Sequence, residues 1–106
     1  MTTADPILVR FRAALNELYG DRIERVVLYG SRARGDARPD SDYDIAVFVR
    51  DLSANRWQDI RSITDIELAI LDETEAFVHA MPYPAGSWRD ASSPLMYEIR
   101  KDGRDL

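Results

Sequence analysis

Two short apolar runs, Val26-Val27-Leu28-Tyr29 and Ile45-Ala46-Val47-Phe48-Val49, bracket a polar segment rich in glycine, arginine and aspartate. Runs of this length, partly β-branched and bounded by turn residues, read as buried strands. The segment between them opens on Gly30-Ser31 and closes on Asp42-Tyr43-Asp44. A glycine-serine turn therefore ends one strand, and a pair of carboxylates begins the next. Backbone N–H groups in such a turn suit phosphate oxygens. Carboxylates two residues apart on a strand point the same way and can share a hard cation. Together they predict a site for a nucleoside triphosphate and Mg²⁺.

The rest of the chain is organised around that segment. Asp5-Pro6 is a helix start, with Asp as N-cap and Pro at the first helical position. Ile7, Phe11, Leu15 and Leu18 follow at helical spacing, and Gly20-Asp21 ends the element. Ile23 to Tyr29 predicts the first strand, Ser31 to Arg34 a short helical turn, and Pro39-Asp40-Ser41 a loop with Ser41 as a turn residue. Asp42 to Val49 predicts the second strand. Ser53 caps a helix running to about Leu71, with an apolar stripe of Trp57, Ile60, Ile63, Ile66, Ile70 and Leu71. Ala76 to Met81 predicts a third strand closed by Pro82 and Pro84, and residues 85–92 a loop. Ser93-Pro94 repeats the cap signature before a short helix whose apolar side is Leu95, Met96 and Ile99, with Gly103 as its stop. The order αβ(turn)βαβα predicts an α/β fold with a small mixed sheet and flanking helices.

Bulk properties narrow the function. A chain of 106 residues is read as one domain with a real core and little room for a separate substrate domain. The net charge of −5 argues against a nucleic-acid surface, which would show a basic stripe. Arg32, Arg34 and Arg38 cluster inside the motif, which suits a small phosphorylated ligand. No run of eighteen apolar residues predicts a membrane span, and Met1 to Pro6 lacks a signal-peptide pattern. With no cysteine there is no disulfide framework or cysteine zinc site. These features fit a cytoplasmic protein.

Gly30-Ser31, a ten-residue gap and Asp42-x-Asp44 are accompanied by Ala33-Arg34-Gly35, Ser41-Asp42 and the tail Pro94-Leu95-Met96-Tyr97-Glu98-Ile99-Arg100-Lys101-Asp102-Gly103. On these residues the chain resembles the nucleotidyltransferase superfamily that includes DNA polymerase beta. Within it, the chain is most similar to the minimal nucleotidyltransferase proteins, many of which are antitoxins to a helical HEPN ribonuclease toxin. The likeness runs from about residue 5 to residue 103. It implies a polymerase beta-like fold, a single domain over residues 1–106, and transfer of AMP from ATP to a protein hydroxyl, a tyrosine of a cognate HEPN toxin. It also implies a hetero-oligomer with that toxin. Nucleotidyl transfer displaces pyrophosphate, and Mg²⁺ held by Asp42 and Asp44 would balance its charge. Gly30 would let backbone approach the triphosphate, Ser31 would add a hydroxyl, and Arg34 and Arg32 would neutralise outer phosphates. The plainer reading of the two arginines is an exposed pair facing Asp36 and Asp40.

The family pattern breaks at one place. Active relatives usually carry a third carboxylate on the next strand, completing the metal site and taking the proton from the attacking hydroxyl. Here that strand has no acid inside it. Glu75 precedes it with the parity of Phe77, His79 and Met81, and His79 is the chain's single histidine. Glu75 and His79 are thus the candidates for the third catalytic position, although a lone histidine in an apolar strand is usually structural. Asp72 and Glu73 are read as helix-end or solvated acids. Three functions stay open: a protein nucleotidyltransferase, an antitoxin that acts only by covering its partner, and an aminoglycoside-type small-molecule nucleotidyltransferase.

Overall fold

A computed structural model describes residues 5–52 and 55–106. Helix α1 spans Pro6–Tyr19, capped by Asp5, whose Oδ1 accepts the Ile7 N–H at 2.8 Å. A 3₁₀ turn at Gly20–Arg22 leads into β1, Ile23–Tyr29, and the short α2, Ser31–Arg34, follows Gly30. Strand β2 covers Tyr43–Val49, α3 Arg56–Thr74, β3 Val78–Pro84, α4 Pro94–Asp102 and β4 Arg104–Asp105. The sheet order is β3-β2-β1-β4, with β2 and β3 parallel and the other pairs antiparallel. The α/β architecture with a small mixed sheet is the predicted one.

Several boundaries differ from the sequence expectation. The predicted cap Ser53 lies outside the described residues; the helix starts at Arg56 and runs past Leu71 to Thr74. Trp57, expected in its apolar stripe, is exposed, while Ile63 and Ile70 are fully buried. Asp42 stands one residue before β2 rather than within it. The loop at residues 85–92 contains a 3₁₀ turn, Ser87–Arg89, whose Trp88 indole and preceding Gly86 N–H both donate to Glu24. Strand β4 had no sequence signal: two residues cannot show a period. It forms because Gly103 lets the chain leave α4 against β1; a Cβ there would meet the Ile99 carbonyl at 2.1 Å and Val27 Cγ1 at 2.5 Å.

The prolines expected to close β3 lie inside it. Their parity explains why. Phe77 accepts from the Tyr43 N–H of β2, so odd-numbered residues bond inward. Ala80, Pro82 and Pro84 face outward on this edge strand, where two missing donors cost no ladder bond. The outward Ala80 N–H is taken by the Glu67 carboxylate of α3. The edge is thus closed to further strand pairing at these positions.

The two faces of the sheet are covered unequally. On one, Val26, Leu28, Ile45, Val47, Val49, Val78 and Ala80 pack under α1 and α3 against Phe11, Leu15, Ile63 and Ile70. There the Tyr19 hydroxyl donates to the buried Asp59 Oδ1 at 3.0 Å and joins the two helices. On the other, α4 covers Val27, Ala46 and Phe48 with Met96 and Ile99, and Tyr29, Tyr83, Trp88 and Leu95 pack around them. Among the described residues no helix is long and apolar enough to cross a membrane.

Candidate functional site

The site forms where the α4 face is left open. Register places Tyr29 of β1 opposite Asp44 of β2, and Asp44 opposite His79 of β3. Because residues at matched positions share a face, these three side chains form a row across the end of the sheet. His79 Nδ1 lies 3.9 Å from Asp44 Oδ1, and the imidazole is 66% exposed. The imidazole is exposed because odd positions of β3 face away from α1 and α3. Asp42, one turn of the pleat before Asp44, is exposed.

Gly30 has φ +74°, and a Cβ there would stand 2.7 Å from Asp44 Oδ2. The glycine is required by the carboxylate itself, which presses against the turn backbone. The anticipated reason, room for a triphosphate, is thus joined by one internal to the protein. Asp44 is held above the usual carboxylate range, first by burial; His79 and Arg34 pull it back, and the Asp42 charge raises it further. Two neighbouring carboxylates, one half-buried, favour a cation between them. Their all-oxygen donor set suits Mg²⁺, which takes one or two carboxylates and completes its shell with water and phosphate. The residues fit that ion. Among the described residues no group of three or more His, Cys, Asp or Glu is placed to hold a metal ion, so the protein offers this pair of carboxylates alone.

The remaining predicted residues separate. Ser31 begins α2, directly after the turn, and is half-buried. Arg34 pairs with Asp36 at 3.3 Å, reaches Asp102 at 4.0 Å, and its charge is felt at Asp44. Arg32 turns away: its Nε donates to the Ser41 carbonyl and its Nη2 to the Pro39 carbonyl, and its guanidinium lies 3.9 Å from the Tyr43 ring centroid. It braces the loop that carries Asp42. Ser41 is the turn residue expected, with its Oγ accepting the Arg38 N–H at 2.9 Å. Glu75 is the left-handed C-cap of α3, φ +64°, and lies outside β3. Strand parity therefore does not apply to it. Glu73 forms an exposed pair with Arg10.

Three groups near the site escaped sequence reasoning. The Tyr29 hydroxyl is pushed up to about 12, first by burial, with the negative charges of Asp44 and Glu98 adding to it. Tyr29 could have been found from its place beside Gly30. Glu98 comes from α4 and is near only through the tertiary fold. Glu67, half-buried on α3, is raised to about 7 by burial, partly offset by His79 and by the Ala80 N–H. A cleft of about 550 Å³ lies between Arg34 and α4. A larger one, about 820 Å³, opens on the α1 face with Leu8, Val9 and Leu28 on its walls. That cleft lies across the sheet from Asp44, so size does not mark the chemistry here.

The family described as Polymerase beta, Nucleotidyltransferase matches residues 14–106. A Methanocaldococcus jannaschii protein that carries a provisional protein adenylyltransferase name is 35% identical over 46 residues, 43% of this chain and 46% of its own length. The chain thus spans less than half of that relative. A solved structure described as a minimal nucleotidyltransferase superposes with TM-score 0.59 at 25% identity, over 94% of this chain and 92% of that one. The MNT antitoxin complex with a tri-AMPylated Shewanella oneidensis HEPN toxin gives a fold match of TM-score 0.51 at 19% identity, over 93% and 70% of the two chains.

Proposed function

Because the chain belongs to the Polymerase beta nucleotidyltransferase family, we propose that it moves AMP from ATP to a protein hydroxyl with Mg²⁺ as cofactor. We take the acceptor to be a tyrosine of a HEPN-type toxin that this protein neutralises in the cytoplasm. The observation that carries this reading is Asp44, held against Gly30 in one row with His79 and one pleat from Asp42. The protein adenylyltransferase name of one relative and the AMPylated HEPN toxin bound to another support the donor and acceptor class.

Asp42 and Asp44 would hold the ion, which when bound neutralises charge on the leaving pyrophosphate. The other roles belong to the chain. The Gly30-Ser31 turn presents backbone and hydroxyl to the phosphates, and Arg34 offers its guanidinium by exchanging Asp36 for phosphate oxygen. The acceptor oxygen forms a bond to the α-phosphorus as the bond to pyrophosphate breaks. The exposed His79 imidazole, 3.9 Å from Asp44, is placed to take the hydroxyl proton.

One observation favours a second reading: the strand position opposite Asp44 holds an imidazole in place of an acid. An antitoxin that only covers its partner would tolerate that. The test is to mix the protein with a HEPN-type toxin, ATP and Mg²⁺, and to weigh the toxin. A gain of one AMP that needs Asp42 and Asp44 supports transfer. Neutralisation by the Asp42→Ala, Asp44→Ala variant with no mass change replaces transfer with binding.

A further inference from the structure

The cleft between α2 and α4 is walled by Arg34, Ser93, Tyr97, Glu98, Lys101 and Asp102. Its charges balance, two cations against two acids, and Arg34 is already 4.0 Å from Asp102. A neutral wall of this kind does not select a polyanion. It suits an uncharged, polar, planar group carrying donors and acceptors. Tyr97 supplies what such a group stacks on: its residue surface is 57% exposed on a helix whose Met96 and Ile99 are buried. The cleft joins the reacting end of the sheet at two points. Arg34 stands on the helical turn that follows Gly30, its N–H donating to the Gly30 carbonyl at 3.1 Å, and Tyr29 packs against Met96 and Ile99 of α4. Its volume, about 550 Å³, is in the range of ligand sites.

We infer that this cleft is the nucleoside subsite, with the nucleobase stacked on Tyr97 while the triphosphate extends past Arg34 to Gly30-Ser31. The inference rests on the proposed nucleotidyltransferase reading and assigns the base to α4, the element that also closes the smaller core. Stacking on an aromatic face is tolerant of base identity. Tyr97 therefore sets affinity for nucleosides as a class, while Glu98 and Asp102 can accept hydrogen bonds from exocyclic amines or ribose hydroxyls.

The test compares ATP with inorganic tripolyphosphate, each with Mg²⁺, by titration calorimetry on the wild type, Tyr97→Ala and Tyr97→Phe. ATP affinity should fall about tenfold in Tyr97→Ala and return in Tyr97→Phe. Tripolyphosphate affinity should be alike in all three proteins. Saturation transfer from tyrosine ring protons to the bound base of ATP should be strong in the wild type and lost at matched occupancy in Tyr97→Ala. If the wild type binds ATP and Tyr97→Ala binds it equally well, or no transfer is seen, the base lies elsewhere and this inference alone falls. An equal loss for ATP and tripolyphosphate would also overturn it, by placing Tyr97 against phosphate. If the wild type binds neither probe, the nucleotidyltransferase reading itself fails, and the subsite with it.

Discussion

The two faces of one four-stranded sheet divide the labour of this protein. The α1 and α3 face carries the larger core: two helices of 14 and 19 residues close over it, Phe11, Leu15, Ile63 and Ile70 are fully buried there, and it opens only at the rim cleft beside Leu8, Val9 and Leu28. The α4 face is covered by nine residues, enough for Val27, Ala46 and Phe48 with Tyr29 packed beside them, but Asp44 and His79 of the same row stay partly exposed. A short helix on one face leaves carboxylates at a strand end partly wet, where they can exchange water for ligand oxygen. A deeper core on the other face keeps the strands that carry them rigid.

If that division holds, damage on the α1 and α3 face should appear as stability and damage on the open face as chemistry. Phe11→Ala removes the largest fully buried side chain of α1 and should cost about 3–5 kcal/mol in urea unfolding. A cost under about 1 kcal/mol would remove the distinction between the faces. Asp44→Asn should reduce transfer, measured by partner mass, at least about a hundredfold, equivalent to ~2.7 kcal/mol of barrier. Its melting temperature should stay level or rise, because the repulsion from Asp42 is gone. Full transfer by this variant would move the metal site elsewhere.

Gly30→Ala probes the seam between the faces. It forces a side chain to φ +74° with its Cβ 2.7 Å from Asp44 Oδ2. A loss of about 1–3 kcal/mol in stability is expected, together with a fall in transfer, because Asp44 must give way. An unchanged transfer rate would show that the position of Asp44 is not critical. The smallest expected effect is at Glu67, which bonds the outer edge of β3. In the fold this acid sits at about 7 against an ordinary 4.5. The folded chain keeps a proton that the unfolded chain releases, so this contribution is full below pH 4.5 and is lost as pH rises toward 7. Solvent screening of a half-exposed group limits the loss to about 1 kcal/mol. Glu67→Gln keeps an acceptor for the Ala80 N–H, and its unfolding free energy should lack that decline; an identical pH profile would assign the slope to another group.

Legibility from sequence followed local physics. Asp5-Pro6, Ser93-Pro94 and the apolar β1 and β2 runs act within a few residues of themselves, and those elements stand where they were read. Prolines misled at β3, because their cost depends on which way an N–H faces, and only sheet order makes β3 an edge. Glu75 misled for a related reason: parity applies inside a strand, and the chain is still closing α3 there. Arg32 looked like Arg34 by composition, but a side chain two residues earlier on a helical turn points to another side, toward the Ser41 and Pro39 carbonyls.

The sequence by itself determined the α/β order, the glycine-serine turn before a pair of carboxylates, and the helix starts, since each is encoded in neighbouring residues. Only the tertiary structure decided that Asp44 presses on Gly30, that His79 stands across from it, and that Glu67, Tyr29 and Glu98 share their surroundings. Those relations join residues up to about seventy positions apart. They depend on strand register and on how far a nine-residue helix reaches across a sheet, and no local pattern carries that information.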